Sequence, residues 1–544
     1  MLGLMMDQPL LISSLLTHAA RNHSDTEIVS RTVEGGIHRT TYSELELRSR
    51  KLAQALGRLG VQVSDRVGSL AWNGYRHLEL YYAASGSGAV MHTVNPRLFP
   101  EQIGYIINHA DDKLLFIDLT FVPLIEKLAP ACKSVRHVVV MTDRDHMPPS
   151  LANSVPNALC YEELIAAETG EYDWPTFDEK TASSLCYTSG TTGNPKGVLY
   201  HHRSTVIHSY AIVSPDVFNL SSRDCLLPVV PMFHVNAWGL PYAAPLVGCK
   251  VVFPGAQLDG ASLFELYESE QVTATAGVPT VWLALLNHMK QNKLKFSSLN
   301  RAVVGGSAVP PAMIKAFGDD FGVLCQHAWG MSEMSPLGTF CTLKGKHLAL
   351  PPDQQFEILT SQGRALFGVD MKIVGGDGVE LPRDGTAFGD LLVRGPWITN
   401  GYFKGEGGDP LRDGWFPTGD VGTIDPDGYL RITDRSKDVI KSGGEWISSI
   451  DLENAVMGHP AVAEAAVIGV AHPKWDERPL LIVVKKPGQE VSREELLKFY
   501  DGKVAKWWIP DDVVFVETLP HTATGKLLKI KLREEFKGHR LPSA

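Results

Sequence analysis

Apolar residues recur along this chain with two periods, and their order gives the first expectation of the fold. Between residues 41 and 60, Leu45, Leu52, Leu56 and Leu59 fall on one helical face, Ser43 and Glu46 offer a capping box, and Gly60 stops the run. Shorter apolar runs follow at 89–94, 114–117 and 135–141, with helix-length segments between them. That alternation predicts βαβ units and a parallel sheet. A second alternation extends from Leu226 to Gly306, through apolar runs at 251–254, 274–278 and 302–306 and an amphipathic stretch after Leu258. After about Pro352 the pattern changes to short strand-like runs at 371–374, 389–393 and 429–432, broken by Gly and Asp. A charged patch at 433–438 separates them from a final stretch long enough for one small domain. The pattern therefore predicts a large N-terminal α/β domain over 1–433, with a β-rich subdomain at about 352–433, and a smaller domain over 434–544.

Composition narrows the class. A chain of 544 residues is too long for a single core, and its 44% hydrophobic and 21% charged residues are those of an ordinary globular protein. The net charge of -10 and the lack of a basic stripe argue against nucleic acid as a partner. Seven scattered cysteines, never spaced as metal-ligand pairs, read as reduced thiols. The apolar run near the N-terminus follows Asp7 and no basic region, which makes it a poor signal peptide, and no apolar stretch approaches the length of a membrane span. The closing Leu541, Pro542, Ser543 and Ala544 carry no targeting address, so a cytoplasmic location is expected.

The first chemical signal runs from Tyr187 to Gly197, just after a strand candidate at 185–187. Polyphosphate needs many donors at close range. The loop supplies hydroxyls from Thr188, Ser189, Thr191 and Thr192, backbone amides at Gly190 and Gly193, and the ammonium of Lys196. Pro195 and Gly197 flank the lysine, so the common P-loop pattern fails. A generic Gly/Ser loop alone would be an ordinary turn. This longer string resembles the signature of the acyl-adenylate-forming superfamily, and further segments of that family follow in order from about 41 to 529.

The site residues below are implied by that resemblance. His234, Val235, Trp238 and Gly239 resemble the segment lining the acyl pocket, which Gly305, Gly306 and Gly330 would complete. Gly306, Ser307 and Ala308, with His327, Ala328, Trp329, Gly330, Met331 and Ser332, correspond to the nucleotide-contacting stretches. Glu333 would hold magnesium, a hard cation suited to a carboxylate. Trp329 stands where the family usually has Tyr, and Ser332 where it often has Thr; the indole still offers a stacking face. Asp420 would grip the ribose hydroxyls and Arg435 the ribose or phosphate. Lys441 and Trp446 would join the nucleotide site, and Ser442, Gly443, Gly444 and Glu445 the coenzyme A site. Lys526 would reach the reacting carboxylate and the α-phosphate, with Glu333, Thr188 and His234 as its catalytic companions. In isolation each of these is unremarkable: His234 reads as a core histidine, a Thr-Gly-Asp sequence as a turn, Arg435 as part of a solvated face, and Lys526 as a surface lysine.

The resemblance further implies a large domain of two doubly wound sheets and a mobile α+β C-terminal domain that swivels at residues 434–435. ATP, magnesium and coenzyme A would be used to turn a carboxylic acid into its adenylate and then its thioester, in a protein expected to form a homodimer. The His234 and Trp238 segment, with Trp446, looks most like fatty acyl-CoA synthetases of medium to long chain and like bacterial ligases for the thioether acid 3-methylmercaptopropionate. Trp238 and Trp329 would shorten the pocket, which favours a short or medium aliphatic acid over a long-chain one. A luciferase-like oxygenase shares these motifs, as does a peptide-synthetase module, although no carrier domain follows Lys529. A non-catalytic ATP sensor is disfavoured because it should have lost Glu333 or Lys526.

Overall fold

A computed structural model of the chain describes residues 1–544 except 2, 156, 189–193, 444 and 522–526, and leaves out the side chains of 152, 445 and 446. Its first sheet has seven strands, in the order Leu159–Cys160, His137–Val140, Asp112–Ile117, Arg66–Leu70, Val90–Thr93, Ala182–Tyr187, Gly197–His201. All neighbours are parallel except the last pair, an antiparallel hairpin. The second sheet has a parallel set, Glu27–Arg31, Lys250–Phe253, Cys225–Pro228, Ala274–Gly277, Arg301–Val304 and Leu324–Gly330, edged by the antiparallel Ile37–Thr41. The predicted apolar runs fall on strands in both sheets.

The short runs after residue 352 are strands too, but they form no separate sheet. An antiparallel set begins with Leu337–Phe340 and continues from Leu324–Gly330 through Gly363–Ala365, Tyr429–Arg435, Phe416–Ile424 and Phe388–Arg394 to Asp370–Val374. A third sheet, of five strands, is built from residues 440–515 and carries the helices Ser449–Met457, Arg493–Phe499 and Lys529–Glu535.

Helices Ile12–Asn22, Tyr42–Arg58, Tyr75–Gly86, His202–Val213 and Leu240–Val247 pack on one another in a layer between the two large sheets. One continuous core joins them to Val67 and Met91 of the first sheet and to Leu226, Val251 and Val303 of the second. In Tyr75–Gly86 every residue but Arg76 is buried, so its polar groups need partners. Glu79 meets Arg48 at 2.6 Å and the Tyr161 hydroxyl at 2.5 Å, and Ser85 donates to the Ser183 carbonyl at 3.0 Å.

The amphipathic helix foreseen after residue 41 is Tyr42–Arg58, with Leu45, Leu52 and Leu56 buried. Its capping box is Thr41 and Glu44, not Ser43 and Glu46. The chain is already helical at Tyr42, so Thr41 accepts from the Glu44 amide at 3.3 Å and Glu44 from the Thr41 amide at 3.0 Å. Glu46 instead pairs with Arg50 one turn on, at 2.7 Å.

Asp118, just past the strand Asp112–Ile117, accepts the Trp72 amide at 2.7 Å. Burial pushes its carboxyl up to about 7. Because that lies above an unfolded value of about 3.9, the native state holds the extra proton, and stability from this group is lost as pH rises from about 4 through 7. Asp118→Asn stays neutral and can still accept the Trp72 amide. Its stability relative to the parent should therefore rise between pH 5 and 8, by on the order of a few kcal/mol in urea unfolding; a gap that stays flat with pH contradicts this.

Candidate active site

The polar loop is the connection of the hairpin Ala182–Tyr187 and Gly197–His201. The Thr188 amide donates to the Lys196 carbonyl at 2.9 Å, and the Lys196 amide to Thr188 Oγ1 at 3.3 Å, which pinches the base of the loop. Ser189, Gly190, Thr191, Thr192 and Gly193 lie outside the described residues.

Glu333 follows the strand Leu324–Gly330 in a single turn, Ser332–Met334, and is buried. Its Oε1 accepts the Tyr402 hydroxyl at 2.8 Å, and the Lys196 ammonium lies over the Tyr402 ring, 4.9 Å from its centre. Tyr402 thus touches both charged groups, and burial together with Glu333 pushes its hydroxyl pKa up. Among the described residues no three His, Cys, Asp or Glu side chains gather as a metal cluster. Glu333 is a carboxylate that could hold a hard divalent cation such as magnesium, with oxygens of a nucleotide as further ligands.

The segment after Pro231 makes an uncommon turn. Val235, Asn236, Ala237, Trp238 and Gly239 all have positive φ, from 43° to 77°. Left-handed backbone costs a residue with a Cβ roughly 1–2 kcal/mol, so the surroundings have to hold this turn in place. The Trp238 ring lies across the next glycines: a Cβ on Gly305 would come within 3.1 Å of it and within 2.8 Å of the Ala328 carbonyl.

These elements enclose a cavity of about 420 Å³. Thr188, Asn194 and Lys196 line it, with His234, Val235 and Trp238, Gly305 and Gly306, and the stretch Ala328, Trp329, Gly330, Met331, Ser332 and Glu333. Ile212, Val217, Phe218, Leu240, Pro336, Leu337 and Phe340 add apolar wall, and Arg435, Lys437, Asp438, Leu527, Leu528, Lys529 and Ile530 come from the C-terminal part.

Asp420 lies behind this wall. Its carboxylate accepts the Trp329 indole N–H at 3.0 Å and pairs with Arg435 at 2.9 Å. Next to Arg435, the buried Asp434 accepts from the amide and hydroxyl of Ser449; burial raises its pKa, in spite of nearby Lys529. Lys529 donates to the Ser449 hydroxyl and pairs with Glu453 at 2.7 Å. Burial opposes its charge, but Glu453 and Asp434 outweigh that and hold its pKa above the ordinary lysine value.

Not every residue singled out in the sequence reaches the cavity. Gly239, Ser307, Ala308, Lys441, Ser442 and Gly443 are off its wall. His327 is buried in the strand Leu324–Gly330, where burial lowers its pKa to about 4. Gly444 and Lys526 lie outside the described residues, and for Glu445 and Trp446 only the backbone is described. Sequence reasoning missed Tyr402 and the apolar wall at 212–218, which have no local motif. Asn194, Lys437 and Asp438 sat unselected inside motifs already noticed.

The family model described as AMP-binding enzyme matches residues 16–403, and that of the AMP-binding enzyme C-terminal domain matches 451–526. A 3-methylmercaptopropionyl-CoA ligase of Ruegeria lacuscaerulensis is 56% identical over 537 residues, 99% of each chain. A medium-chain-fatty-acid–CoA ligase of Ectopseudomonas oleovorans is 53% identical over 98% of each. The fold is shared with a crystal structure of the anthranilate CoA ligase AuaEII in complex with anthranoyl-AMP, with a TM-score of 0.85 at 24% identity over 98% of each chain. The chain therefore belongs to the AMP-binding enzyme family, among its AMP-forming acyl-CoA synthetases.

Proposed function

We propose that this enzyme activates a short or medium aliphatic acid, of which 3-methylmercaptopropionate is the best candidate, and that the cavity beside Glu333 is where the acid becomes an adenylate. One observation carries the reading. Groups suited to a polyphosphate, Thr188 and Lys196, and to its divalent ion, Glu333, share one cavity with the apolar side chains of Ile212, Val217, Phe218 and Leu240. The two relatives, one a ligase for the thioether acid and one for medium-chain fatty acids, support the size class.

The reaction has to overcome anionic repulsion, because a carboxylate attacks the α-phosphorus of ATP and displaces diphosphate. Thr188 and Lys196, with the loop between them, would donate to the phosphates, and Lys526 would draw the carboxylate and α-phosphate together. Magnesium held by Glu333 would neutralise phosphate charge. Asp420 and Arg435 would hold the ribose, and Trp329 and the backbone at 328–331 the adenine. His234, Val235 and Trp238, with Gly305, Gly306 and Gly330, would enclose the acyl chain.

The coenzyme A thiolate then attacks the acyl carbon and AMP leaves. We infer domains at 1–433 and 434–544 that pivot at Asp434 and Arg435, drawing Leu527–Ile530 and Lys526 away and presenting Lys441, Ser442, Gly443, Gly444, Glu445 and Trp446 for the thioester stage. That Leu527 and Leu528 face the cavity now supports reading this arrangement as the adenylating one. A cytoplasmic homodimer is the assembly proposed. The seven cysteines, all buried and free, are in keeping with a reducing compartment, and the dimer rests on family resemblance.

A panel of acids from acetate to palmitate, with 3-methylmercaptopropionate and aryl acids, should give AMP release that needs both acid and coenzyme A and peaks at short to medium chains. Release only with palmitate or with aryl acids contradicts the substrate reading. Lys526→Ala should lose on the order of 10²–10³-fold in adenylation, as single preorganised donors do, yet still turn supplied acyl-adenylate into thioester. Equal loss in both halves contradicts a role confined to the first.

A further inference from the structure

The left-handed turn from Val235 to Gly239 belongs to no strand, yet its shape decides where the Trp238 indole stands. A turn of the opposite hand would carry the ring off Gly305 and Gly306, where an added Cβ would come within 3.1 Å and 3.8 Å of it. What fixes the hand is therefore also what shapes this part of the cavity.

The strongest polar anchor within the turn is the side chain of Asn236, only 4% exposed. Its Nδ2 donates to Ser184 Oγ at 2.6 Å, and its Oδ1 accepts from Cys186 Sγ at 3.0 Å. Ser184 and Cys186 are two residues apart on the strand Ala182–Tyr187, so they face the same side, and both are buried. With donor and acceptor both engaged, the amide is held in one orientation, and its backbone in one hand. Asn tolerates left-handed backbone better than the Val, Ala and Trp around it. At the far end Gly239 has φ of 77°, and a Cβ there would come within 2.7 Å of the His208 ring, so the turn is pinned at its middle and closely fitted at its end.

The anchoring strand runs directly into Thr188 and the polar loop. We infer that Asn236 is a positioning residue for acid selectivity: it ties the turn bearing Trp238 to the strand bearing the phosphate loop, and so fixes the depth of the acyl cavity relative to the nucleotide. Asn236 does not line the cavity and acts through Trp238. This rests on the proposed reading of the cavity as the acyl site.

Asn236→Gly separates the two contributions, since glycine keeps the freedom of left-handed backbone and loses both anchors. Ser184→Ala removes one anchor and leaves the turn residues intact. Steady-state kinetics with a series of straight-chain acids from propionate to dodecanoate should show Asn236→Gly accepting longer acids, with the kcat/KM ratio of longest to shortest shifted about tenfold or more, the scale on which a pocket reads one methylene. KM for ATP should stay unchanged. Ser184→Ala should shift the ratio in the same direction but less, and the double variant should match Asn236→Gly, because the two residues form one contact. An unchanged ratio in both variants overturns the inference, as does a uniform loss with every acid together with a raised KM for ATP, which marks a merely structural residue. If the parent itself releases no AMP with any of these acids, the acyl-site reading falls and this inference with it.

Discussion

The carboxylate of Asp420, 4% exposed, is held from two directions, by the indole N–H of Trp329 at 3.0 Å and by the guanidinium of Arg435 at 2.9 Å. A carboxylate this deep is costly unless paired and hydrogen-bonded. Here the partners belong to different parts of the molecule. Trp329 stands one residue before the end of the last parallel strand of the second sheet and is itself cavity wall, whereas Arg435 closes the strand that leads into the C-terminal region. One buried charge thus fixes the wall of the cavity to the segment through which the C-terminal region enters. Its pairing with Arg435 also limits the repulsion that a bare carboxylate would present to an anionic nucleotide.

The C-terminal region has its own matching arrangement. Asp434 accepts from Ser449, Lys529 donates to the same serine and pairs with Glu453, and Asp438 pairs with Arg533 at 2.6 Å. These partners all lie between residues 434 and 533, so they fix Lys529 to the C-terminal region itself, while Leu527, Leu528, Lys529 and Ile530 line the cavity.

Much of this was legible along the chain because two kinds of signal agreed. Apolar periodicity located the strands at Val90–Thr93, Asp112–Ile117, His137–Val140, Ala274–Gly277 and Arg301–Val304, and the polar loop fell where a strand ended. The motif residues Thr188, Lys196, His234, Trp238, Trp329, Glu333 and Arg435, hundreds of positions apart at the extremes, do line one cavity. What escaped was tertiary. Glu27–Arg31 joins Lys250–Phe253 as a neighbour, a pairing more than 200 residues apart that no local pattern announces. Ser43 and Glu46 had the right residue types for a cap, but helical backbone already begins at Tyr42. Trp329 was read for its stacking face, and its N–H proves equally important, since only the fold brings Asp420 within reach. His327, two positions before it on the same strand, is buried and takes no place on the cavity wall. Tyr402 has no motif, and the motif at 234–239 gave no sign of its left-handed backbone, because the significance of both lies in what they meet.

The central claim, that acid and ATP react at this cavity before coenzyme A is engaged, is tested most directly by exchange of labelled diphosphate into ATP. Exchange that requires the acid, proceeds without coenzyme A and is lost in Glu333→Gln is the predicted result. Exchange that appears only once coenzyme A is added, or that survives the loss of the Glu333 carboxylate undiminished, would contradict it.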